Sequence, residues 1–133
     1  MKINDELIEN LLVQAMESPR LRMSFDLRTS PDDQSQRILN ALIPGTVLPI
    51  HRHRASAETV ILLKGDMDEI FYDEGGKETG RIHLNHKEGC YGAQIPQGEW
   101  HGIEVREPSV IMEAKDGAYQ PLTSEDILEI SLK

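Results

Sequence analysis

A chain of 133 residues, 38% hydrophobic and 28% charged, has the makeup of a globular protein and the length of one domain. Its formal charge of −9 argues against nucleic acid or anionic membrane as a main partner. No apolar run approaches the ~20 residues of a membrane span, the acidic start Met1–Glu6 does not suit a signal peptide, and the single Cys90 permits no internal disulfide, so a cytoplasmic setting is expected.

Leu7, Ile8, Leu11, Leu12 and Ala15 recur at helical spacing, predicting an amphipathic helix over 4–17. Asn4 is its cap, and Asp5 and Glu6 suit the positive end of the helix dipole. Ser18-Pro19 stops it. The period then changes to two. Leu21, Met23, Phe25 and Leu27 alternate with Arg20, Arg22, Ser24, Asp26 and Arg28, which reads as a strand with one apolar and one polar face. Thr29–Asp33 is a turn cluster. Residues 36–43 fit strand or short helix, and strand is chosen because the neighbours are strands. Residues 58–64 are apolar and β-branched, implying cover on both faces; an outward row of Thr59, Ile61 and Leu63 would call for a second sheet or a subunit interface. A turn is expected at Gly65-Asp66 and a hairpin at Glu74–Lys77. His83 lies between Ile82 and Leu84 and His86 in a turn, so neither is expected to be a ligand. Cys90 reads as a small packed residue. Strands over 90–95, 100–105 and 109–115 and a helical turn at Ser124–Asp126 complete an all-β antiparallel barrel or jelly roll of about eight strands with a short N-terminal helix. The expected division is a helix at 1–18 and a barrel at 19–133 within one domain.

The chemistry concentrates at His51, His53, Glu58 and His101. A helix would set His51 and His53 about 200° apart, whereas a strand puts them on one face. Glu58 is an odd step further on and joins them only if Arg54–Ala57 turns the chain onto a neighbouring strand. His101 follows a Pro96–Glu99 turn and offers a fourth ligand. Three imidazoles and one carboxylate suit one divalent transition metal: Fe, Mn, Ni, Co or Zn.

Gly45-x5-His51-x-His53-x4-Glu58-x6-Gly65 and Pro96-x-Gly98-x-x-His101 resemble the two motifs of the cupin family. Two departures stand out: Gly89 and Pro96 are separated by six residues instead of five, and Val105 stands where an asparagine is usual. The segments 19–22, 33–37, 49–54 and 113–117 further resemble the small WbuC-type cupins encoded in surface-polysaccharide gene clusters, over roughly residues 7–128. That resemblance implies a single-domain cupin barrel and a sugar or sugar nucleotide as the substrate class. Homodimerisation is habitual among small cupins and fits the apolar outer row.

Between Ser18 and Val60 the net charge is +2, with six arginines and no lysine. Arginine suits bidentate recognition of carboxylate or phosphate, so Arg20, Arg22, Arg37 and Arg52 are candidate contacts for a small anionic ligand. Trp100 is expected outside the barrel as packing. With Val110, Met112 and Ala114 inward, Glu113 is expected in solvent, the other assignment being a general base in the pocket. The sequence thus points to a metal-binding cupin acting on a sugar or other polar anion by isomerisation or epimerisation. The alternatives are an Fe(II) dioxygenase and a non-catalytic, metal-dependent sugar-binding or sensing protein.

Overall fold

The computed structural model describes residues 1–128. Helix α1 covers Asp5–Glu17. As the sequence predicts, the Asn4 side chain accepts a hydrogen bond from the Leu7 amide at 3.1 Å, satisfying one of the free N–H groups of the first turn. Among the described residues eight strands follow: β1 (Arg22–Asp26), β2 (Ser35–Leu42), β3 (Ile50–His51), β4 (Glu58–Tyr72), β5 (Glu78–Asn85), β6 (Gly92–Ile95), β7 (Trp100–Asp116) and β8 (Ile127–Leu128). The expected turn at 124–126 is a 3₁₀ helix. All pairings are antiparallel, in the order β1-β2-β7-β3-β8, with β4 joined to β5, β6 and β7. This is the expected fold class. No helix among the described residues is long and apolar enough to cross a membrane.

Two apolar clusters hold the strands. One lies outside the barrel, where Ile8, Leu11, Leu12 and Ala15 of α1 pack on Leu39, Ala41 and Val110, joined by Met23, Phe25, Leu63 and Met112. The other fills one end of the interior with Leu42, Val60, Leu62, Met67, Leu84, Ile95 and Ile111. The alternation in β1 is therefore real, but its apolar face meets the helix and its polar face looks into the barrel. The same cover explains part of the outer row of β4: Leu63 lies against the helix cluster, while Ile61 is 36% exposed.

The expected turn at Gly65-Asp66 is instead a set of bulges inside one long strand. β4 runs unbroken from Glu58 to Tyr72, with register shifts against β7 between Leu62 and Met67. Gly65 has φ 110°, and a Cβ there would lie 2.1 Å from Ser109 Oγ. Only glycine fits both the backbone and the space. Interior residues are even-numbered before the bulge (Val60, Leu62) and odd-numbered after it (Met67, Glu69).

Candidate metal centre

His51 on β3 lies directly opposite His101 on β7, and their ring centroids are 4.2 Å apart. His53 follows just beyond β3, held where its carbonyl accepts from the Gly98 amide at 2.8 Å. Each of the three imidazoles offers a nitrogen lying within 4.8 Å of the others. Glu58 opens β4 after the loop at 52–57. That strand is not hydrogen-bonded to β3; β7 pairs with both. The carboxylate reaches the cluster across the barrel. Glu58 Oε2 lies 3.3 Å from His53 Nε2 and 3.4 Å from Lys115 Nζ, and Oε1 lies 4.0 Å from His101 Nε2.

Two hydrogen bonds prepare the rings. His51 Nδ1–H donates to the Pro49 carbonyl at 2.9 Å, and His101 Nδ1–H donates to the Glu99 carbonyl at 3.0 Å. With the proton held on Nδ1, each Nε2 carries a free lone pair, the tautomer a metal requires. Burial lowers the His51 pKa to about 4, helped by the nearby His101; burial also lowers His101. Both rings are thus neutral at neutral pH. Burial by itself would raise Glu58, but the contact with His53 and the charge of Lys115 outweigh it and hold the carboxyl low. The buried His101 Nε2 has no hydrogen-bond partner among the described residues, and Glu58 Oε2 has only its ion-pair contacts with His53 and Lys115. Buried polar atoms without partners are costly. A cation at their meeting point would satisfy both, so the residues present fit a divalent metal.

The cluster forms the wall of a cavity of about 370 Å³. Facing it are Arg22 and Ser24 of β1, Asn40 of β2, Glu69 of β4, and Glu113 and Lys115 of β7. Glu113 is therefore not directed into solvent. Its row is inward because Val110 and Met112 face α1, and the apolar residues used to infer the interior face mark the helix side. Counting in twos from His101 along β7 would have placed Glu113 and Lys115 correctly. Asn40 Nδ2 donates to Glu113 Oε1 at 2.9 Å, and Asn40 Oδ1 accepts from Ser24 Oγ at 2.5 Å. Burial and the Glu58 charge push the Glu113 pKa up to about 7. Glu69 was missed for a different reason: the bulge at Gly65 reverses the parity of β4, which no alternation pattern announces. It is 2% exposed, and its pKa is well above the usual carboxylate range through burial and the charges of Glu113 and Glu58.

Of the four candidate arginines, Arg22 borders this cavity, using Nη1 to donate to the Val47 carbonyl at 2.9 Å. Burial and the nearby Arg20 charge lower its pKa. Arg20 is exposed and borders none of the described cavities. Arg37 pairs with Asp33 at 3.1 Å. Arg52 lies on the far side of β3, its guanidinium 4.4 Å from the centre of the Trp100 ring and its Nε 3.2 Å from Asp126. Arg54 Nε shares that carboxylate at 2.6 Å. Trp100 is buried packing beside His101. His83 sits between Asp66 and Glu88, and His86 against the Leu62 carbonyl; both are outside the cluster.

A family model described as a domain of unknown function (DUF6016) matches residues 3–84. No curated protein matches the chain in sequence. Among solved structures it is similar to the capsular polysaccharide assembling protein CapF from Staphylococcus aureus (TM-score 0.65, 20% identity, 78% of this chain and 30% of that one). It is also similar to TT1209 from Thermus thermophilus (0.61, 21%, 88% and 98%). A third similar structure is oxalate decarboxylase from Bacillus subtilis, a protein with Mn(II) centres (0.56, 18%, 75% and 26%). The chain spans less than a third of CapF. These neighbours share the cupin jelly roll, and the likeness is one of fold.

Proposed function

The chain belongs to the family described as a domain of unknown function (DUF6016), and from that premise we propose that it is a divalent-metal-binding cupin of the WbuC type. In this reading it acts on a sugar or other small polar anion, as an isomerase or epimerase, in surface-polysaccharide metabolism. The observation that carries the metal assignment is the meeting of His51, His53, His101 and Glu58 at one wall of the cavity, with the buried His101 Nε2 otherwise unpartnered among the described residues. The structural likeness to a capsular polysaccharide assembling protein supports the metabolic setting. The ligand set and the Mn(II) centres of a structural neighbour suit a transition metal.

A bound cation would supply Lewis-acid polarisation of a substrate carbonyl or hydroxyl. The protein's own groups do the rest. The backbone carbonyls of residues 49 and 99 hold two imidazoles in the ligating tautomer. Lys115, beside Glu58, balances part of the carboxylate charge. Glu113, held by Asn40 and with a pKa near neutrality, is the group suited to take up and return a proton.

The test is elemental analysis of protein purified without added metal, beside the double variant His51→Ala/His53→Ala. Stoichiometric divalent metal in the first and its loss in the second are expected. Unchanged metal content in the variant, or none in either, contradicts the reading.

A further inference from the structure

The cavity beside the histidines is more specific than a generic polar lining. Glu69 is a carboxyl 98% removed from solvent, and its Oε2 has no hydrogen-bond partner among the described residues. Such an atom is costly to leave bare, and Glu69 lines the cavity, so a ligand group is the partner it lacks. Glu113 stands on the same cavity. One of its oxygens is taken by Asn40, and the amide of Asn40 is oriented in turn by Ser24. The other oxygen of Glu113 accepts no hydrogen bond among the described residues. Carboxyl groups placed in this way pair with hydroxyls, which donate and accept. The ionised carboxylate of Glu58 lines the same cavity, so an anionic group needs a cation of its own. The one guanidinium on this cavity is that of Arg22, which has no ion pair among the described residues and donates one N–H to the Val47 carbonyl.

Size narrows the choice. The 370 Å³ of the cavity admits one sugar ring with its substituents. Two hollows adjoin it: one shares Asn40, Glu113, Lys115 and Tyr119 with the cavity and contains Arg28 and Arg37, and the other shares His53, Lys115, Gln120 and Leu122 and contains Arg52 and Arg54. Among the described residues these cations are already paired, Arg28 with Asp26 at 2.7 Å, Arg37 with Asp33 at 3.1 Å, Arg52 and Arg54 with Asp126 at 3.2 and 2.6 Å, and Lys115 with Glu58 at 3.4 Å, so none is left over for a diphosphate.

Resting on the metal-site reading above, we propose that the cavity takes a single-ring sugar acid, with its hydroxyls on Glu69 and Glu113 and its carboxylate on Arg22, and that it does not take a sugar nucleotide. Isothermal titration calorimetry of the full chain tests this, after loading with Mn²⁺ or Zn²⁺ and measuring metal in the same sample. The probes are D-glucuronate, D-galacturonate, D-galactose and UDP-glucuronate. At least one uronate should bind saturably, with galactose roughly tenfold weaker, as expected for loss of a charge-assisted pair, and UDP-glucuronate no tighter than galactose. Arg22→Gln should bring the uronate down to the level of the neutral sugar. Glu69→Leu should weaken uronate binding roughly tenfold at unchanged metal content. Should the leucine variant not fold, difference infrared spectroscopy takes its place: uronate binding shifts a carboxyl band that Glu69→Gln removes. A difference spectrum untouched by that substitution, equal binding of galactose and uronate, tighter binding of UDP-glucuronate, or a metal-replete chain that binds neither uronate would overturn this inference alone. A chain that takes up no metal would overturn the metal-site reading and this inference with it.

Discussion

The two faces of the sheet formed by β1, β2 and β7 differ in a way that inverts the usual rule. The outer face carries Met23, Phe25, Leu39, Ala41, Val110 and Met112, sealed by α1. Toward the open end of the barrel, the inner face carries Arg22, Ser24, Asn40, Glu113 and Lys115. Stability on this side of the molecule therefore comes from outside the barrel, through burial under a helix. The inside is left free to hold charged and hydrogen-bonding groups, at a cost in folding energy that a functional site justifies. At the other end of the barrel the interior is apolar and the ordinary rule returns.

If the division is sound, substitutions on the two faces should separate stability from metal binding. The largest effect on folding is expected on the helix side. Leu11→Ala removes a side chain 2% exposed and should destabilise by about 2–5 kcal/mol, with metal stoichiometry unchanged; chemical denaturation with metal analysis checks both. Gly65→Ala comes next. Its Cβ would meet Ser109 at 2.1–2.6 Å with φ at 110°, and a loss of ~2 kcal/mol or more should appear as a lowered denaturation midpoint.

The inner face should reveal itself through pH. His51 has its pKa lowered to about 4 from 6.5, so the metal-free protein binds fewer protons there than the unfolded chain. Its contribution is complete above 6.5 and is lost as pH falls towards 4. Glu113 is raised from 4.5 to about 7 and works the other way: its contribution is present below 4.5 and is lost as pH rises through 7. The two oppose each other between 4.5 and 6.5. Glu113→Gln removes one of them, so metal-free Glu113→Gln should gain stability with rising pH more steeply than wild type in that window. Equal slopes would count against Glu113 as the opposing group. The smallest effect is expected on the far side of β3, where Asp126 joins Arg52 and Arg54. These ion pairs are partly exposed, and Asp126→Asn should cost under about 1 kcal/mol, read from the melting temperature.

Much of this was legible in the chain, and what was not has physical causes. Helix α1, its Asn4 cap and the alternation of β1 follow from local rules that need no tertiary context. The convergence of His51, His53 and His101 follows from strand parity and a turn, whereas Glu58 arrives on β4, which is not the strand paired with β3. What escaped is which face of an amphipathic strand is the interior. Val110 and Met112 look like core, and they are, but the core in question lies beneath the helix. Parity also fails silently at a bulge, which is why Glu69 came into view only with the backbone path through Gly65. Arg52 illustrates a third limit: its partners Trp100 and Asp126 are remote in sequence, and composition alone does not distinguish a guanidinium stacked on a ring from one awaiting a ligand.

The central claim is that three imidazoles and one carboxylate share a single ion. X-ray absorption spectroscopy at the edge of the metal that co-purifies with the chain tests it most directly. The account predicts a first shell of three nitrogens and at least one oxygen at ~2.0–2.3 Å, with the multiple-scattering signature of histidine. A shell made only of oxygens, or one containing the sulfur of Cys90, would contradict it.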